Sequence, residues 1–375
     1  MKKNHNDILK SRTLDNYIGC LLGGAIGDAL GAPIEFMSLN EIRSKYGKDG
    51  VKNYIEYADG NGEFTDDTQM TLFTAEALLR AEHRAMLKGI GGALPIIAHH
   101  SYLRWLHTQN FPLNIEKVKQ GVYDIEKGWL IKQKALYKRR APGNTCLSAL
   151  SSGIAGTIDN PINNSKGCGT IMRIAPVGLM YSGNNEYSFK IGCELSAITH
   201  GHPTGYLSAG FFASVISDLA VGVKLDKAIE NGLVILRKWD NCLETLRAVN
   251  SATELFQKVK TSGINPGAEE IEKLGQGWVA EEALSMSLFA SLVYENDFEK
   301  GVLYSINHSG DSDSTGSITG NLLGLINGKE SIPINLIEKL EAHDIVSQMG
   351  EDLFIRVKGS TYDADDEWWE KYPGF

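Results

Sequence analysis

Cysteine is sparse and unpatterned in this chain: Cys20, Cys146, Cys168, Cys193 and Cys242 are an odd number, widely spaced, with no C-x-x-C pair. That excludes a disulfide framework and a thiolate zinc site, and it fits a reducing, cytoplasmic setting. An excess of positive charge is also missing. A net charge of −9 excludes a sequence-independent nucleic-acid binder, which must offer phosphates a basic surface. The basic run Lys132, Lys134, Lys138, Arg139 and Arg140 reads as a solvated helix face or loop rather than a phosphate patch. No run approaches the ~20 apolar residues of a membrane span. Lys2, Lys3, Lys10 and Arg12 ahead of the apolar stretch 17–26 imitate a signal peptide, but that stretch is rich in glycine and runs into Asp28 without an evident cleavage site.

Strand signals are scarce as well. Apolar residues instead recur at spacings of three and four, which predicts helices over 14–31, 68–87, 93–107, 145–158, 189–200, 205–220, 226–238, 279–293, 297–307, 314–326 and 336–348. The fold class is therefore all-α. Loop-like stretches, notably 159–170 and 260–278, lack the composition of an inter-domain linker, so one large domain over 15–375 is expected after an N-terminal extension, 1–14. Two predicted helices carry glycine every fourth residue: Gly19, Gly23, Gly27 and Gly31, then Gly316, Gly320, Gly324 and Gly328. Each set lies along one helix face, where absent side chains let another backbone come close. Glycine inside a helix costs about 1 kcal/mol against alanine, so both helices are expected at the centre of the bundle, where packing offsets that cost.

Four short segments carry chemistry. Phe64-Thr65-Asp66-Asp67-Thr68-Gln69-Met70 opens a helical stripe and, taken alone, reads as capping, with Thr65 as N-cap and two acids favoured by the helix dipole. Gly310-Asp311-Ser312-Asp313-Ser314-Thr315-Gly316 reads the same way. It also imitates a calcium loop, but the twelfth position is Leu322, which supplies no carboxylate, so an EF-hand is excluded. Together the two segments offer four carboxylates and several hydroxyls, a hard-oxygen set suited to Mg2+ or Mn2+ and poor for zinc. Carboxylates brought together repel and take up protons unless a cation neutralises them, so convergence of these helix starts would imply metal. Gly167-Cys168-Gly169-Thr170-Ile171-Met172-Arg173 is either a plain tight turn or one whose backbone N–H groups cradle a pyrophosphate. In Thr199-His200-Gly201-His202-Pro203-Thr204-Gly205-Tyr206, no third nitrogen ligand stands at metal-binding spacing. His200 is open between catalytic support and a structural role, and His202 reads as structural.

In this order, and with Gly19 to Gly31 followed by Glu35 ahead of them, the segments resemble the ADP-ribosylglycohydrolase family from about Asp15 to Gly328. The resemblance implies a single-domain orthogonal helical bundle that holds two divalent cations, Mg2+ or Mn2+. It implies metal ligation by Thr65, Asp66, Asp67, Asp311, Asp313 and Ser314, the last a serine where many relatives have threonine but with the hydroxyl kept. It further implies that Gly167, Cys168, Gly169 and Thr170 line the diphosphate and that His200 approaches the ADP-ribose. Arg173 is implied as chiefly a structural anchor, and Glu35 matches a glutamate that gates the metal site in some relatives. Asp66, then Asp67, is the expected base, with Glu35 beside them.

The blocks Gly167 to Arg173 and His202 to Leu207 look more like arginine-specific members than serine-specific ones, which implies hydrolysis of ADP-ribosyl-arginine in proteins. Hydrolysis of a serine linkage is the alternative. A further one is an immunity-type protein that also binds and blocks an ADP-ribosyltransferase. A non-catalytic relative of the lens-crystallin kind is disfavoured, because every expected ligand type is present. No nucleic-acid or membrane partner is implied. The acidic, aromatic end, Asp363 to Trp369, is expected to pack its tryptophans on the body of the protein.

Overall fold

The structure is a computed structural model that describes residues 13–55, 61–118, 124–263, 265–358 and 366–374. Residues 1–12 of the expected N-terminal extension lie outside the described residues, whereas Thr13 caps the first helix by accepting the Asn16 N–H at 3.2 Å. Among the described residues there is no β-strand beyond two isolated bridges, and 17 α-helices account for the architecture. They are α1 (Leu14–Gly31), α2 (Leu39–Tyr46), α3 (Asp66–Lys88), α4 (Leu94–Thr108), α5 (Asn144–Ser151), α6 (Ala175–Met180), α7 (Asn185–Ala197), α8 (Pro203–Leu219) and α9 (Leu225–Leu236). The remainder are α10 (Leu243–Ser262), α11 (Ala268–Ile271), α12 (Ala280–Val293), α13 (Phe298–Ile306), α14 (Ser312–Asn327), α15 (Ile334–Glu338), α16 (His343–Lys358) and α17 (Asp366–Lys371).

The glycine faces of α1 and α14 meet each other, antiparallel. A Cβ atom added at Gly23 would stand 2.3 Å from the Gly320 carbonyl oxygen, and one added at Gly320 would stand 2.0 Å from that of Gly23. Gly27 pairs with Gly316 and Gly19 with Gly324 in the same way. Backbones this close gain many dispersion contacts and Cα–H···O approaches that any side chain would prevent. α16 closes the other side of α1, with Phe354 edge-on to Tyr17 at 5.3 Å. The α1 segment is apolar enough to pass for a membrane span, contrary to the sequence expectation, but 83% of its window is buried inside the fold. It is the core helix of this bundle, apolar on all sides because every side is covered.

Two expected elements differ, and one long helix lies where none was expected. The segment 336–348 is two helices, because the chain is pinned between them: Gly62 N–H donates to Lys339 O at 2.8 Å and Glu341 N–H to Gly62 O at 2.9 Å. The helix expected over 145–158 ends at Ser151, where Gly153 turns the chain at φ +74°. α10 was not expected, although Leu246, Val249, Ala252, Phe256 and Val259 carry helical spacing. Its fully buried stripe is thin, with Thr245, Val249 and Ala252 alone, so polar residues dominate the segment. At the C-terminus Trp369 stands edge-on to His83 at 5.2 Å and Trp368 packs against the core at 5.1 Å from Tyr372, as expected of that segment.

Candidate metal and ADP-ribose site

The antiparallel α1–α14 contact fixes where the C-terminal end of one helix meets the N-terminal end of the other. Asp28, fully buried near the end of α1, therefore faces the start of α14, and the start of α3 is bonded onto it. Its carboxylate accepts the Thr65 N–H at 2.9 Å, the Thr68 N–H at 3.0 Å and the Thr68 hydroxyl at 2.6 Å. Asp28 thus caps α3 from another helix, while Thr65 caps it locally by accepting the Asp67 N–H at 3.3 Å. The Thr65 hydroxyl donates to Asp313 Oδ2 at 3.3 Å, joining the two acidic motifs.

The acids meet in a buried cluster. Ligand oxygens of Glu35, Asp311 and Asp313 lie within 4.8 Å of one another, and Asp66 and Asp67 feel the charges of Asp313 and Asp28. Asp311 is the N-cap of α14, with its side chain accepting the Ser314 N–H at 3.3 Å, and the same N–H meets Asp313 Oδ1 at 3.0 Å. Asp66 Oδ2 accepts the Gly143 N–H at 3.2 Å. Burial raises every one of these carboxyls, and repulsion from neighbouring acids adds to it for all but Asp313: Asp28 rises to about 7, Asp66 to about 8 and Glu35 to about 10, with Asp67, Asp311 and Asp313 also moved upward.

Asp67 Oδ2 is buried with no hydrogen-bond partner among the described residues. An orphaned anionic oxygen in a ring of like charges is costly unless a cation sits against it. The donor set fits one: carboxylates with the Thr65 and Ser314 hydroxyls, all hard oxygens, at two helix N-termini. The thiol that comes near, Cys168, is raised far above its ordinary value by burial and by Asp311 and Asp67, so it is protonated and a poor ligand.

Cys168 belongs to the predicted turn, which the fold sets directly beside the cluster. Gly167, Cys168, Gly169 and Thr170 form a short 3-10 turn, and Gly277 and Trp278 run between it and the Asp311 loop. Most of its N–H groups are committed: Cys168 N–H to Trp278 O at 3.1 Å, Thr170 N–H to Gly167 O at 3.3 Å and Gly167 N–H to Ser165 Oγ at 3.4 Å. His200 lies over this turn, so that a Cβ at Gly169 would stand 3.1 Å from its ring. Its Nδ1 pairs with Thr199 Oγ1 at 2.8 Å, and burial, then Arg173, lower its pKa to about 3. Arg173 is fully buried, donates to Thr199 Oγ1 at 2.6 Å and lies 4.5 Å over the Tyr102 ring, which makes it an anchor for the segment under His200. His202 is the N-cap of α8, a structural place.

The family model described as ADP-ribosylglycohydrolase matches residues 9–362. The chain belongs to the ADP-ribosylglycohydrolase family. It is therefore a hydrolase of ADP-ribosyl linkages. The chain is 25% identical to an ADP-ribosylarginine hydrolase, Tri1, of Serratia proteamaculans, over 92% of this chain and 81% of that protein. It is 24% identical to the ADP-ribosyl-[dinitrogen reductase] glycohydrolase of Rhodospirillum rubrum, over 87% of this chain and 90% of that protein. A solved structure titled ADP-ribosylglycohydrolase-related protein complex shares the fold with a TM-score of 0.62 at 22% identity, covering 93% of this chain and 99% of that one.

Two features of the site were not singled out from the sequence. Asp28 lacked a role, although an acid inside an otherwise apolar helix demands buried partners. Phe36 and Trp278, both exposed, stack at 5.5 Å beside Glu35 and the glycine turn. Nothing in the spacing of residues 36 and 278 announces that pair.

Proposed function

We propose that this family member removes ADP-ribose from arginine side chains of modified proteins, hydrolysing the N-glycosidic bond with two bound Mg2+ or Mn2+ ions. The observation that carries the reading is the meeting of Thr65, Asp66 and Asp67 with Asp311, Asp313 and Ser314 in one buried oxygen cage, with the Gly167–Thr170 turn and His200 alongside. Arginine as the acceptor is supported by the likeness of the Gly167–Arg173 and His202–Leu207 blocks to arginine-specific members and by the name of the Serratia relative. A cytoplasmic setting fits the free thiols of the chain.

Thr65, Asp66, Asp67, Asp311, Asp313 and Ser314 would hold the cations, which when bound supply Lewis acidity toward the ribose hydroxyls and lower the pKa of a bound water. The protein's own groups do the rest. The turn at Gly167–Thr170 and neutral His200 bind the remote ADP part, and that binding energy orients the sugar carbon under attack. Asp66, whose carboxylate is oriented by the Gly143 N–H, accepts the proton of the attacking water, with Asp67 the second choice. The transition state has oxocarbenium character, which the surrounding carboxylates favour. The guanidine leaves protonated, and Glu35 is the carboxyl placed at the cage to hold that proton.

Incubation with proteins carrying arginine-, serine- and aspartate/glutamate-linked ADP-ribose, with and without divalent metal, tests the reading. Release from the arginine linkage in the presence of metal is expected. Release from the serine linkage alone would replace the arginine assignment, and undiminished release in chelator would remove the metal.

A further inference from the structure

The last member of the basic run, Arg140, is bonded to the loop that opens α3 rather than left to solvent. Arg140 is largely buried between the loop that precedes α3 and the segment that precedes α16, with 16% of its side chain exposed. Its Nη1 donates to the Phe64 carbonyl and to Glu341 Oε1, and its Nη2 reaches Glu341 Oε2 at 3.1 Å and Glu63 at 3.2 Å. The Phe64 N–H donates to the same Glu341 Oε1 at 3.1 Å, so the peptide groups on both sides of Phe64 are held by one ion pair. Thr65 is the next residue. Three positions beyond Arg140, the Gly143 N–H holds Asp66 Oδ2, and Lys138 O accepts the Gln69 side-chain amide at 2.8 Å. The stretch 138–143 is therefore bonded before, on and after the first turn of α3.

We infer that Arg140 is a positioning residue for the cation site: through Phe64 and Glu341 it sets the entry of α3 and so the aim of Thr65, Asp66 and Asp67. The inference rests on the cation reading of the cage given above. A guanidinium suits the task because its planar fork satisfies a carboxylate on two oxygens while a further N–H takes the carbonyl, which an ammonium cannot do at once. The role has an experimental sign. By charge alone, deleting a cation near a divalent-ion site relieves repulsion and tightens metal binding. By positioning, the same deletion loosens the ligands and weakens binding, as loss of outer partners of metal ligands does by about 10- to 100-fold.

Isothermal titration of Mn2+ into the full chain, with helicity and melting temperature recorded alongside, reads that sign. Arg140→Met is expected to bind Mn2+ about 10- to 100-fold more weakly than wild type. Arg140→Lys recovers part of the loss, because it restores one of the two contacts. It also stands in if Arg140→Met does not fold, because it keeps the charge, so that any affinity below wild type reads the geometry alone. Lys138→Met is the charge control: Lys138 meets Glu63 and Glu341 from solvent without touching Phe64, and its loss is expected to leave affinity within about twofold. Unchanged or tighter Mn2+ binding in Arg140→Met, or wild-type binding in Arg140→Lys if Arg140→Met does not fold, would overturn the role of Arg140 while leaving the cation site standing. Absence of Mn2+ binding in the wild type would overturn the cation site itself, and the positioning role with it.

Discussion

The hydroxyl of Thr65 and the carboxylate of Asp313 meet at 3.3 Å although 248 positions separate them in the chain. Neither residue belongs to a helix that packs extensively on the other's. They meet because α1 lies between: its glycine face carries α14, and Asp28 near its end carries the first turn of α3.

Removing a carboxylate from the cage should abolish turnover without unfolding the protein. Asp66→Asn and Asp311→Asn are expected to lower ADP-ribosyl hydrolysis more than about 100-fold with helical circular dichroism intact, and chelator should do the same to the wild type. Either variant turning over at the wild-type rate would remove its residue from the site.

Metal should stabilise the protein more as pH rises. The cage carboxyls are held above their unfolded values, Asp66 at about 8 and Glu35 at about 10, so the metal-free folded state keeps protons that the unfolded state has released above about pH 4. Their contribution to folding is thus intact below that pH and is lost as pH climbs through the folded values. A divalent cation replaces those protons and cancels the loss. Thermal melting in Mn2+ against chelator is expected to show a gap that widens from pH 5.5 to 8, on the order of 2 °C per pH unit. A gap independent of pH would contradict the coupling.

His200 should stay neutral throughout the working range. Burial and the neighbouring Arg173 hold its pKa at about 3, against 6.5 for a free imidazole. Its ring resonances in NMR are expected to show no inflection between pH 5 and 8. The unfolded chain binds a proton there that the folded chain refuses, so this residue also lowers stability as pH falls below about 6.5. An inflection near 6.5 would place the ring in solvent.

A single methyl group should break the central contact. Gly320→Ala gains helix propensity, about 1 kcal/mol, but its Cβ would sit 2.0 Å from a backbone oxygen of α1 that has no room to yield. A net loss of about 1–3 kcal/mol in denaturant unfolding is expected, against no more than about 0.5 kcal/mol for Gly91→Ala, where no atom lies within 4 Å.

Helix starts were legible in the sequence because caps are local: Thr65 and Asp311 announce α3 and α14 within a few residues, and both cap as expected. The central place of α1 and α14 was legible too, since each glycine set calls for a backbone in close contact, although which backbone meets which was not. What could not be read is contact that depends on where a third element lies. Arg140 looked like one member of a solvated basic run, and its partners, Phe64 and Glu341, are 76 and 201 positions away. Asp28 sits within the Gly19–Gly31 segment, yet its hydrogen bonds follow from the meeting of helix ends, which no local pattern encodes. The glycine turn shows the reverse error, for its composition promised free N–H donors and the adjoining Trp278 strap already takes one of them.

The repeat that joins α1 to α14 acts as a ruler with identical marks. Sliding one helix along the other by four residues would return glycine opposite glycine, and the contact by itself barely distinguishes the two alignments. Yet that step carries Asp313 about 6 Å along the axis, beyond reach of Thr65. Registration therefore draws on groups beside the glycines, with Asn321 donating to the Cys20 carbonyl at 2.8 Å within the contact and Asp28 with the α3 entry at its end, so groups that assemble the cage also help to select the alignment the chain adopts.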